Sequence, residues 1–99
     1  MAGLKRLDLA RVSTGSVVVE MPWESRLELL ERVRGLAGGG VEVARRFQAA
    51  GATRPVELDR PAKMLLLNVV SHWASATGVD HLPLGIAELG NALAEDLWL

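Results

Sequence analysis

Over residues 4–12 apolar and polar positions nearly alternate: Leu4, Leu7, Leu9 and Val12 are set among Lys5, Arg6, Asp8 and Arg11. A period of two predicts a half-buried strand. Ser13-Thr14-Gly15-Ser16 is a turn cluster, and the β-branched run over 17–21 predicts a second strand, so the two make a hairpin. Pro22 then holds Met21 extended and suits the first position of a helix.

After Pro22 the period changes. Leu27, Leu30, Val33 and Leu36 or Ala37 recur at helical spacing, which predicts a helix over about 23–36. Gly38-Gly39-Gly40 ends it. These glycines lack the lysine and hydroxyl residue of a P-loop and the spacing of a dinucleotide fingerprint, so they read as a plain turn. A short helix over 41–50 turns Val43, Ala44, Phe47 and Ala50 inward and stops at Gly51. Residues 54–58 form a third strand. Asp59 is a good N-cap, and Pro61 removes the donor at the second helical position, so Asp59 must cap Ala62.

The helix over 60–76 is apolar around most of its circumference: Met64, Leu65, Leu66, Leu67, Val69, Val70 and Trp73 leave a narrow stripe of Asn68, Ser71, His72 and Ser75. Such a helix is buried on more than one side. A last helix over about 84–97 has Ile86, Leu89, Leu93 and Leu97 on one face, with Gly85 and Gly90 permitting close approach. The pattern therefore predicts a single α+β domain over 1–99, with a small antiparallel sheet, a hairpin plus one strand, packed against about four helices.

The chain also resembles itself. At an offset of thirty-seven, Val19, Glu20, Leu29, Leu30, Val33 and Ala37 recur as Val56, Glu57, Leu66, Leu67, Val70 and Ala74. Arg26 and Lys63, Leu27 and Met64, and Met21 and Leu58 match in kind. The expectation is a strand-helix-helix pseudo-repeat, with halves over about 16–50 and 54–97 related by an approximate two-fold.

Composition changes this picture in one respect. Hydrophobic residues make up 49% of 99 residues, rich for a domain with a limited interior. An apolar face left for a partner is one way to use the surplus. The net charge of −1 favours neither nucleic acid nor an acidic membrane as partner. Residues 1–50 carry eight basic against six acidic side chains and residues 51–99 three against six, an asymmetry suited to self-association. Absence of cysteine excludes disulfides and thiolate chemistry. No signal peptide or membrane-spanning run is evident, and a cytoplasmic location is expected. The alanine, glycine, valine, leucine and arginine bias is that of a high-GC bacterial or phage gene.

Candidate chemistry is sparse. His72 and His81 have no metal-ligand spacing and are separated by Gly78. Ser71 and His72 are adjacent in a helix and diverge by about 100°. Glu20 and Glu57 converge if their strands pair, but strand acids more often face solvent and deter edge aggregation. No catalytic, cofactor or metal residue is assigned. Trp23, Trp98, Leu99, Leu97 and Leu93 are the interface candidates, because tryptophan is over-represented at interface hot spots; Trp73 reads as core.

The order strand-helix-helix over 16–50 and again over 55–97 resembles the ribbon-helix-helix DNA-binding family. That resemblance implies a dimer reading bases from basic or polar strand residues. Here the strands carry Val17, Val18, Val19, Glu20 and Met21, and Pro55, Val56, Glu57 and Leu58, and glutamate repels phosphate. Lys5, Arg6, Arg11, Arg45, Arg46 and Arg54 are the basic residues available to it. The expected function is a non-enzymatic interaction protein, a homo-oligomer or accessory subunit, with a nucleic-acid-binding regulator as the alternative.

Overall fold

The computed structural model of the chain describes residues 9–15, 17–36, 39–51 and 54–98. Strands β1 (Leu9–Ser13) and β2 (Val18–Pro22) lead into helices α1 (Trp23–Arg34) and α2 (Gly40–Ala50). Strand β3 (Val56–Glu57) then precedes α3 (Arg60–Thr77), a 3-10 turn at Val79–His81, and α4 (Ile86–Trp98). The expected α+β domain is the one observed. Of the strand expected over 4–12, residues 4–8 lie outside the described residues.

The sheet order is β2-β1-β3. β1 and β2 form the expected antiparallel hairpin, Val12 opposite Val19 and Ala10 opposite Met21. β3 departs from expectation: it runs parallel to β1, with Val56 beside Val12, so the sheet is mixed. The reason lies in the connection. The stretch between β1 and β3 holds β2 and two helices, long enough for the chain to return to the starting end of β1 and pair parallel on its far side.

Side chains of β1 and β2 alternate as the pleat requires. Ala10, Val12, Val19 and Met21 are buried beneath the helices, whereas Leu9, Arg11, Val18 and Glu20 are exposed. The core they enter is filled by Leu29 and Val33 of α1, Phe47 of α2, Leu66 and Trp73 of α3, and Ile86, Leu89 and Leu93 of α4.

Two helices show how tertiary packing sets the buried face. On α4 the expected stripe of Ile86, Leu89, Leu93 and Leu97 is buried in full. On α1 the face is rotated. Leu30 and Val33 are buried as expected, but Leu27 and, just past the helix, Leu36 are exposed, while Arg26 and Leu29 are buried. Leu29 serves the core as well as Leu27 in periodicity. The rotation also lets Arg26 reach the end of α2.

Asp59 caps α3 as its sequence context requires, its side chain accepting a hydrogen bond from the Ala62 N–H at 3.0 Å. Gly85, at φ +90°, is needed where the chain enters α4. A Cβ there would lie 2.5 Å from the Cβ of Met21.

The pseudo-repeat is not confirmed. Burial does agree at several matched positions: Val19 and Val56, Leu29 and Leu66, and Val33 and Val70 are buried, and Glu20 and Glu57 are exposed. Any strand followed by an amphipathic helix gives such agreement. The two strands pair with β1 in opposite senses, and α1 and α3 differ in length, at 12 and 18 residues.

Candidate functional site

The long apolar helix is only partly covered. Ala62, Leu66, Val69, Val70 and Trp73 of α3 face the core, and Leu67 is half-buried. Met64 on the outer side is 46% exposed. Between α3 and the end of α1 lies an open groove of about 680 Å³. Arg32 of α1 and Leu36 just beyond it form one wall, and Leu65, Asn68, His72 and Ala76 of α3 the other. Trp73 and Val69 form the floor.

Trp73 is 3% exposed, in agreement with its assignment to the core. The guanidinium carbon of Arg32 sits 4.0 Å from its ring centroid, a distance at which a cation is attracted to the indole face. Among the described residues Arg32 makes no ion pair. The groove thus presents an apolar surface with one cation at its margin, and Arg32 also shares a shallow recess with Glu28 and Glu31.

Through Leu65 the groove adjoins a smaller recess of about 200 Å³ between α2 and α3. Arg46 and Asp59 line that recess, the Arg46 Nη2 donating to Asp59 Oδ2 at 3.1 Å. The Ala62 N–H and then Arg46 hold the Asp59 carboxyl below its usual range, and the hydrogen bond to Asp59 raises the Arg46 guanidinium. Glu42 also pairs with Arg45 and Arg46. The arginines here are satisfied by their own neighbours.

The buried arginine has a structural role. Arg26, 2% exposed, donates from Nη1 to the Gly51 carbonyl at 2.7 Å and from Nη2 to the Phe47 carbonyl. It lies between the rings of Trp23, at 4.8 Å, and Phe47, at 5.2 Å. The Gly51 carbonyl lies past the last turn of α2 and has no helical donor, and the Phe47 carbonyl accepts from Arg26 in addition to the Gly51 N–H. Burial pushes its guanidinium down.

The interface candidates fall in different places. Trp98 is 71% exposed. Trp23 is half-buried against the core and under Arg26. Leu93 and Leu97 are buried within the chain itself, on the inner face of α4. Leu99 lies outside the described residues. Sequence placed Leu36 and Leu65 on apolar helix faces and spaced Arg32 one turn after Glu28, a pair absent among the described ion pairs, but it did not join the three in one site; their proximity arises from the packing of α1 on α3.

Glu20 and Glu57 do not meet. β1 separates their strands, and Glu20 accepts instead from Arg11 Nε at 3.1 Å across the hairpin. His72 lines the groove, His81 is in the 3-10 turn, and both are exposed. Among the described residues no group of three or more histidine, aspartate or glutamate side chains is placed to hold a metal ion. Among the described residues, too, no helix is long and apolar enough to cross a membrane. Comparison with protein-family models, curated proteins and solved structures finds no match.

Proposed function

We propose that the protein is a non-enzymatic interaction module that associates with itself or serves as a subunit of a larger assembly. The observation that carries this reading is the open apolar groove along α3, floored by Trp73 and edged by Arg32. Exposed Met64 beside it and exposed Trp98 on α4 add large apolar surface of the kind that interfaces bury.

A nucleic-acid-binding role draws less support. Arg11 is paired with Glu20, Arg45 with Glu42, and Arg46 with Asp59. Arg54 donates to the Ala49 carbonyl. Phosphate would have to compete with those partners.

The test is the solution mass by size exclusion with light scattering across a dilution series. A dimer or larger species that persists on dilution is expected. A monomer at every concentration overturns self-association, and salt-sensitive binding to duplex DNA would favour the alternative.

A further inference from the structure

We draw no further inference here: the strongest candidate, the open apolar groove between α3 and the end of α1 that is floored by Trp73, belongs to the site already described, and nothing in the structure shows what covers it.

Discussion

The guanidinium of Arg32 covers the indole of Trp73, and this contact is where α1 meets α3 at the mouth of the groove. Its partial exposure to water limits its strength. Arg32→Ala is expected to cost about 0.5–1 kcal/mol in chemical denaturation. It also opens the floor of the groove, so tryptophan emission should shift to the red. An unchanged spectrum would mean that the ring is shielded by something other than Arg32.

Arg26 should matter more. Its two hydrogen bonds end in the carbonyls of Phe47 and Gly51; its removal leaves the Phe47 carbonyl with the Gly51 N–H alone and takes from the Gly51 carbonyl its side-chain donor. Arg26→Ala is expected to destabilise by about 1–3 kcal/mol. Arg26→Lys should recover only part of this, because one ammonium cannot reproduce the two-pronged geometry. Equal stability of the two variants would show that charge alone matters.

Asp59 gives the chain a pH dependence in acid. Its carboxyl is held down first by the Ala62 N–H and then by Arg46. Its contribution is therefore present above the ordinary carboxylate pKa of about 4 and is lost as pH falls through the lower folded value. Asp59→Asn keeps a capping oxygen and removes the charge. Stability measured between pH 2 and pH 7 should fall less steeply for the variant. Superimposable slopes would remove Asp59 from the account of acid sensitivity.

Lys63 and Asp96 form the least exposed ion pair among the described residues, and Gly15 of the hairpin turn lies against both. The pair ties the hairpin to α3 and α4. Asp96→Ala leaves a half-buried ammonium without its acceptor and is expected to cost about 1–3 kcal/mol. Replacing both by apolar residues, Lys63→Met with Asp96→Leu, should recover much of that loss. Failure of the double variant to recover would point to a role for the charges beyond their mutual contact.

Gly85 is a further point of close packing. Gly85→Ala meets Met21 and forces a left-handed backbone on alanine, so a loss of about 1–3 kcal/mol is expected by thermal or chemical unfolding. An alanine as stable as glycine would mean that the approach of α4 to β2 relaxes readily.

Much of the fold was legible because it depends on neighbours in sequence. The hairpin, the Asp59 cap and the α4 stripe follow from turn residues, a missing proline N–H and helical spacing. Each is a local matter of hydrogen bonding or periodicity, and each stands in the structure. The direction of β3 and the phase of α1 do not follow locally. Val56-Glu57 is equally a strand in either direction, and Leu27 and Leu29 serve the period of α1 about equally well. The phase in which Leu29 turns inward is the one in which Arg26 reaches the carbonyls at the end of α2. The groove was illegible for the same reason. Arg32 and Trp73 are forty-one residues apart, and only the packing of α1 on α3 brings a cation onto that ring and leaves the flank beside it uncovered.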